Sequence, residues 1–179
     1  MNLDRPVAVN PYAYLPSVPG FTVTSEDVRD GETVPLTHVH GSAGGEDVSP
    51  QLSWSGFPAE TAGFAVTCYD PDVPNVGGWW HWLLLDLPAD VTSLPRGAGW
   101  PDGAALPAGA VQLVTSYGTR GYGGCAPPPA DRPHRYFFAV HALDVPTLGV
   151  DADATPAVGS FMITAHEVAR ALIVPVFAR

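Results

Sequence analysis

Basic residues are scarce in this chain. Against 18 Asp and Glu there are 8 Lys and Arg, a formal net charge of −10. A nucleic-acid partner needs a basic face to meet phosphate backbones, so that class is excluded. Loose adhesion to anionic membrane surfaces is excluded for the same reason. Cysteine is scarce as well: Cys68 and Cys125 are the only two. They form no disulfide framework, and free thiols in a reducing cytoplasm are expected. No apolar run approaches the ~18 residues of a membrane span. The N-terminal stretch MNLDRPVAVNPYAYLP has no apolar signal-peptide core. A cytoplasmic protein without stable membrane insertion is expected. No internal repeat or heptad is evident, and no cofactor is expected.

What the sequence does contain is apolar mass and turn formers. The 179 residues suit one domain, 1–179, and 46% of them are hydrophobic, enough for a real core. Gly (19) and Pro (20) break helices, so short strands joined by turns are expected. Residues 1–19 read as an extended, proline-punctuated arm. Candidate strands follow at Phe21–Thr24, Val34–His40, Gln51–Trp54, Phe64–Tyr69, His81–Leu87, Val111–Ser116 and Arg135–Leu143. HWLLLDL and RYFFAVHAL are nearly all apolar and read as central strands buried on both faces. A long loop runs from Pro88 to Gly109. One helix is expected near the C-terminus, capped by Thr155 with Pro156 in its first turn. Phe161, Ala165, Val168, Ala169 and Leu172 would form its apolar face, and Pro175 would end it. The fold class is therefore mostly β: an antiparallel sandwich with a C-terminal helix packed on it.

Four segments carry groups suited to a small anion. YDPDVPN (69–75) follows a strong strand, and its prolines would hold Asp70 and Asp72 in fixed directions, with a cis bond before Pro74 open to so tight a turn. GGWWHW (77–82) places His81 beside three tryptophans at a strand start, where an imidazole can switch charge near neutral pH. GYGGCAPPP (121–129) exposes backbone N–H groups that can form an anion nest. DRPHRYFFAVHALD (131–144) puts His134, Tyr136 and Phe138 on one face of a strand, with Arg135 and Phe137 on the other.

In this combination and order, the segments resemble the phosphatidylethanolamine-binding protein family, also called the Raf kinase inhibitor proteins. DPDVP is similar to the family's DPDAP signature, WWHW to its tryptophan–x–His segment, and GYGGCAPPP with PHRY to its glycine-rich loop and HRY motif. SPQLSWSGFP (49–58) and AHEVARAL resemble its bacterial branch. The resemblance runs from about Phe21 to Val176. It implies a pocket for phosphate, phosphoryl headgroups or small carboxylates. In that pocket Asp70 is the carboxylate, His81 and His134 are the histidines, and Gly124 and Ala126 give backbone contacts. Trp79 and Pro128 are walls, and Tyr136 adds a hydroxyl. A cis Val73–Pro74 bond and a homodimer are also implied. Ala126 stands where relatives often have Gly, and the short NVGG segment before Trp79 offers no counterpart of a pocket tyrosine. Asp72 and Arg135 are expected to pair in support of the site.

Three rival readings are open to the same residues. A hydrolase acting on a small ester through Asp70, His81 or His134 lacks a nucleophile: no GxSxG elbow occurs, and Cys125 has no assigned base. No catalysis is expected. His38, His40 and Glu46 resemble the cupin HxH…E pattern, but the spacing to Glu46 is long and no partner His follows. They are expected to be exposed strand residues, with no metal bound. A regulatory protein that takes a phosphorylated partner in the same pocket is not separable from small-molecule binding by sequence.

Overall fold

The three longest apolar runs form the centre of the fold because each is buried on both faces. A computed structural model describes residues 3–179, so the first two residues of the arm lie outside the described region. The strands are β1 (Thr22–Thr24), β2 (Leu52–Ser55), β3 (Gly63–Asp70), β4 (Trp79–Pro88), β5 (Ser93–Leu94), β6 (Val111–Gln112), β7 (His134–Arg135) and β8 (Phe137–Leu143). Helix α1 (Pro156–His166), β9 (Glu167–Ile173) and β10 (Val176–Phe177) complete the chain. A five-stranded antiparallel sheet runs in the order β6-β4-β3-β8-β9. A smaller sheet, β1-β2-β5, and the pair β10-β7 accompany it.

Alternation along the central strands sends side chains into two cores. Phe64, Val66, Cys68, Trp82, Leu84, Phe138 and Val140 pack with Leu52, Trp54 and Leu94 of the small sheet, which makes the sandwich. Ala65, Leu83, Leu85, Leu113 and Leu143 face the other way and are covered by Ile163 of α1. The mostly β antiparallel fold with one C-terminal helix packed on it is the observed architecture.

Several sequence expectations need correction. Thr155 does cap α1, its side chain accepting from Val158 N, with Pro156 in the first turn. The helix ends at His166, however, and Glu167–Ile173 is a strand paired with β8. Helical spacing in AHEVARAL coexists with a period-two pattern, in which Ala169, Ala171 and Ile173 are buried. The unpaired edge of β8 decides between the two, because ladder hydrogen bonds and core contacts outweigh local propensity. Phe161, assigned to the apolar face, is 70% exposed. Val34–His40 is not a strand but a turn-rich segment with a 3₁₀ turn at Leu36–His38. Of Val111–Ser116, only Val111–Gln112 is regular strand beside β4; Leu113 N and Ser116 N still donate to Leu83 O and Trp80 O of β4. The loop after Pro88 contains β5, which pairs with β2.

The arm is anchored over β3, β8 and β9. The Tyr12 ring lies under the Arg170 guanidinium, 4.3 Å from ring centroid to Cζ, and near Phe137 and His141. Beneath it is a buried polar cluster. His141 Nδ1 donates to Glu167 Oε1 at 2.6 Å, and His141 Nε2 is 3.0 Å from Thr67 Oγ1. Arg170 Nε also donates to Glu167 Oε1, at 2.8 Å. Burial pushes the Glu167 carboxyl up, but bonds and charge from His141 and Arg170 outweigh it and hold it below the ordinary value. Removing one member of a buried charged cluster leaves the others uncompensated. Glu167→Gln is therefore expected to destabilise the fold by about 3 kcal/mol. Thermal unfolding should show a melting point lower by roughly 6–12 °C; a fall of under about 2 °C would mean the carboxylate does not hold the cluster together.

Candidate functional site

Four chain segments meet at the ends of β3, β4 and β7. Asp70 closes β3, and Pro71 and Pro74 prevent the strand from continuing. The Asp70 side chain turns back to accept from Asp72 N at 2.7 Å, an Asx turn that fixes one carboxylate oxygen. Its other oxygen accepts from His134 Nδ1 at 2.7 Å. The Val73–Pro74 bond is trans, since no cis peptide occurs among the described residues, which corrects the expectation of a cis bond.

His81 is set by an irregularity in the ladder. Tyr69 pairs with Trp80 and Cys68 with Trp82, so His81 has no partner across the strands. Such a bulge re-aims a side chain. The glycine loop then grips the residue from both sides: Gly123 N donates to His81 O at 2.9 Å, and His81 Nδ1 donates to Gly123 O at 2.8 Å. His81 Nε2 is buried and has no hydrogen-bond partner. Burial pulls the imidazole below its ordinary value, and the neighbouring Asp70 charge offsets this only in part. The ring is thus neutral near pH 7, with its proton on Nδ1 and an acceptor lone pair on Nε2.

A cavity of about 410 Å³ opens here, lined among others by Asp70, His81, Trp79, Tyr117, Ala126 and Pro128. Trp79 Nε1, also at the cavity, is buried without a partner, as are the hydroxyl of Tyr136, a residue with no exposed surface, and Trp54 Nε1 in the sandwich core. Tyr136 stands edge-on to His81, with ring centroids 5.1 Å apart.

Two residues expected at the cavity are placed otherwise. His134 has no exposed surface and lies behind Asp70. Its Nε2 donates to Asp131 Oδ2 at 2.9 Å. Both ring nitrogens thus face carboxylates, which only accept, so the ring is an imidazolium. Burial opposes that charge, but the bonds and charges of Asp70 and Asp131 outweigh it and raise the group above its ordinary value. Gly124 is the other: its N–H donates to Asp47 Oδ1 at 2.8 Å, and its carbonyl accepts from Tyr117 Oη at 2.8 Å. Its amide is already engaged within the protein.

Asp72 and Arg135 are a two-pronged pair. Arg135 Nε donates to Asp72 Oδ2 at 2.8 Å and its Nη2 to Oδ1 at 2.7 Å. Burial would raise the Asp72 carboxyl, yet the Arg135 bonds hold it below the usual range. Tyr117 was missed by sequence reasoning. It comes from the turn after β6, stacks on His40 at 4.5 Å and meets Trp79 edge-on at 5.2 Å. It supplies a cavity tyrosine from a segment other than the short NVGG stretch, and no local motif marked it. Asp131 and Asp47 were missed too, because each meets a partner far along the chain, Arg5 126 residues away and Gly124 77 residues away.

His38 and His40 share no strand face. His38 is buried, 2.7 Å from Val48 O through Nδ1, and His40 caps a 3₁₀ turn by accepting from Ser42 N at 3.1 Å. No three His, Cys, Asp or Glu side chains among the described residues are grouped to hold a metal. No described helix is long and apolar enough to cross a membrane.

Comparisons agree on the family. The family model for phosphatidylethanolamine-binding protein matches residues 24–178. Escherichia coli UPF0098 protein YbcL is 45% identical over 159 residues, 88% of this chain and 87% of that protein. E. coli YbhB is 45% identical over 156 residues, 86% of this chain and 98% of that one. The crystal structure of YbcL, itself described as a new member of the mammalian PEBP family, superimposes with a TM-score of 0.86. That match covers 89% of this chain and 98% of that one.

Gly124 is required on steric grounds. A Cβ there would lie 2.3 Å from His40 N and from the Val39 carbonyl carbon, which are backbone atoms that cannot swing aside. Gly124→Ala is expected to cost about 2–3 kcal/mol by overpacking. Chemical denaturation should show a lower midpoint; an unchanged midpoint would mean that the loop and the 38–40 segment are not held this close.

Proposed function

The chain belongs to the phosphatidylethanolamine-binding protein family, and we propose that its cavity binds a small oxyanion, phosphate or a phosphoryl headgroup in preference to a carboxylate. The observation that carries this reading is the meeting, in one cavity, of the Asp70 carboxylate and the unpartnered His81 Nε2. Buried polar atoms are rarely left without partners, so the His81 Nε2 lone pair is a site for a ligand's group, and the Asp70 oxygens, each with one bond, have lone pairs left to accept another. Both are acceptors in the free protein, and Trp79 Nε1 and Tyr136 Oη are donors. A monoprotonated phosphate matches that set. Its O–H donates to a carboxylate or imidazole, and its other oxygens accept.

The histidines divide the work in this reading. His134 keeps its charge against Asp70 and Asp131. His81 starts neutral and gains a proton when an anion settles beside it, because an adjacent negative charge favours the imidazolium. Binding therefore takes up a proton. Affinity falls as pH rises through the His81 range, and a phosphomonoester losing its last proton near pH 6 adds to the same trend.

Binding rather than turnover is supported by the nearby hydroxyls and thiol. Burial pushes the Cys125 thiol and the Tyr136 hydroxyl up, away from their nucleophilic forms. Ser42 Oγ donates to His40 Nδ1 at 2.8 Å, but that nitrogen also caps the turn through the Ser42 amide. The two buried free thiols, Cys68 and Cys125, support a reducing, cytoplasmic location.

Calorimetric titration with phosphate, phosphoethanolamine and acetate over about pH 5.5–8.5 tests the reading. Phosphate affinity should fall with rising pH, with net proton uptake on binding. His81→Phe should weaken phosphate binding roughly tenfold or more, the worth of a charge-assisted hydrogen bond, and flatten the pH profile. Equal affinity across that range, or wild-type binding by His81→Phe, rules it out. Phosphoethanolamine binding more tightly than phosphate would identify a headgroup as the preferred source of the anion.

A further inference from the structure

The arm carries a contact that the family match does not cover, since that match begins at residue 24. Arg5 reaches across to the strand ends and clamps Asp131: Nη1 donates to Oδ1 at 2.9 Å and Nη2 to Oδ2 at 2.7 Å. Nη2 also donates to the carbonyl of Asp72. The Asp131 oxygen that takes Nη2 is the one that accepts from His134 Nε2. On the far side of the ring, Nδ1 donates to Asp70. Four charged groups thus stand in line, Arg5–Asp131–His134–Asp70, with every link between 2.7 and 2.9 Å. The last of them is the cavity carboxylate. Asp131, His134 and Asp70 are essentially buried, and Arg5 is about one-fifth exposed.

We infer that Arg5 is a positioning residue for the anion site: through Asp131 it holds His134 against Asp70, so that the N-terminal arm fixes the direction of the cavity carboxylate. This rests on the oxyanion reading of the cavity. The reasoning is steric and electrostatic together. Apart from Arg5, the buried Asp131 carboxylate has only the Arg132 N–H and the single His134 charge, which it shares with Asp70. Without Arg5 it would turn toward water, since ions left buried and poorly paired are costly. His134 Nε2 would then lose its acceptor, and the ring would be free to rotate away from Asp70. The charged groups around His134 support the same view. They are Asp70 at the end of β3, Asp131 on its own loop, Arg5 from the arm, 3.4 Å from Nε2, and the Asp72–Arg135 pair. Phe177 of β10, paired with His134 across the ladder, brings no charge.

The arm is placed to do this. Arg135 Nη2 donates to Ala8 O at 2.6 Å, Arg132 donates to Arg5 O, and Tyr12 is seated under Arg170. A cleft of about 470 Å³ is lined by Arg5, Pro6, Ala8 and the 71–76 turn, and Val73, Pro74 and Asn75 of that turn also line the anion cavity. Arm and cavity therefore share that turn as a common partition.

The test uses the full chain with ¹⁵N-labelled histidine, comparing wild type with Arg5→Gln, Arg5→Lys and Asp131→Asn. Arg120→Gln, which removes an exposed ion pair with Asp153 that has no part in the Arg5–Asp131–His134–Asp70 line, is the control. In the wild type both His134 ring N–H protons should be protected from exchange at neutral pH. In Arg5→Gln the Nε2 proton should lose protection, phosphate affinity should drop roughly three- to tenfold, and a second titration should appear in the binding profile as His134 becomes able to deprotonate. Arg5→Lys, which keeps the charge but not the two-pronged contact, should recover part of the affinity. Asp131→Asn should reproduce the Arg5→Gln changes while leaving Arg5 in place. A fall in melting temperature with wild-type ring protons and a wild-type phosphate pH profile would overturn the proposal, because that is the result of a purely structural strap. If the wild type binds no phosphate, the oxyanion reading fails, and the ring protons decide alone: their loss in Arg5→Gln supports the positioning role and their persistence overturns it.

Discussion

The imidazolium of His134, shared by Asp70 and Asp131 in a place with no access to water, is the contact that the functional end of this protein is built around. A charge so deeply buried persists only with a carboxylate on each nitrogen. Each carboxylate in turn needs a fixed backbone. Asp70 has the Asx turn formed by Asp72 N, and Asp131 has Arg5 and the Arg132 amide. The Asp72–Arg135 pair closes the structure from the other side of β7. What looks like a handful of separate motifs in the chain is one charge-balanced assembly in space, with the cavity on its open side.

The cavity itself is less cationic than a pocket with two histidines suggests. One imidazole has its charge taken up by carboxylates, and the other is neutral. In the proposed reading, anion binding by a protein of net charge −10 depends on short-range complementarity: the Asp70 carboxylate and His81 Nε2 as acceptors, and buried donors at Trp79 and Tyr136. Long-range attraction contributes little, because the field of the whole molecule opposes an approaching anion. On that reading, a ligand that both donates and accepts is the one this arrangement favours.

Local pattern made much of the fold legible. The runs at 64–69, 81–87 and 137–143 are nearly all apolar, broken only by Thr67, His81, Asp86 and His141, and burial on both faces explains that. Thr155 and Pro156 marked the helix start because capping is local. The reading went wrong where two periodicities coexist, at 167–173. There the apolar residues satisfy a helix as well as a strand, and the free edge of β8 supplied what the sequence did not show. His38 and His40 were misread for a related reason: alternation of apolar and polar residues is also produced by turns whose side chains bond locally, as the His40 cap does.

By itself, the sequence determined which chemical groups stand at the strand ends, namely Asp70, His81, His134, the glycine loop and Arg135. It did so because turns, prolines and strand starts are specified by neighbouring residues. It also determined the two-sided core, because burial leaves its mark on every residue of a strand. Tertiary structure alone decided the roles. Whether an imidazole meets a ligand or a carboxylate depends on what lies across from it, and the partners here are 64 residues away for His134 and Asp70 and 126 for Arg5 and Asp131. Protonation states follow the same rule, since burial and opposing charge are properties of the folded neighbourhood and not of the residue.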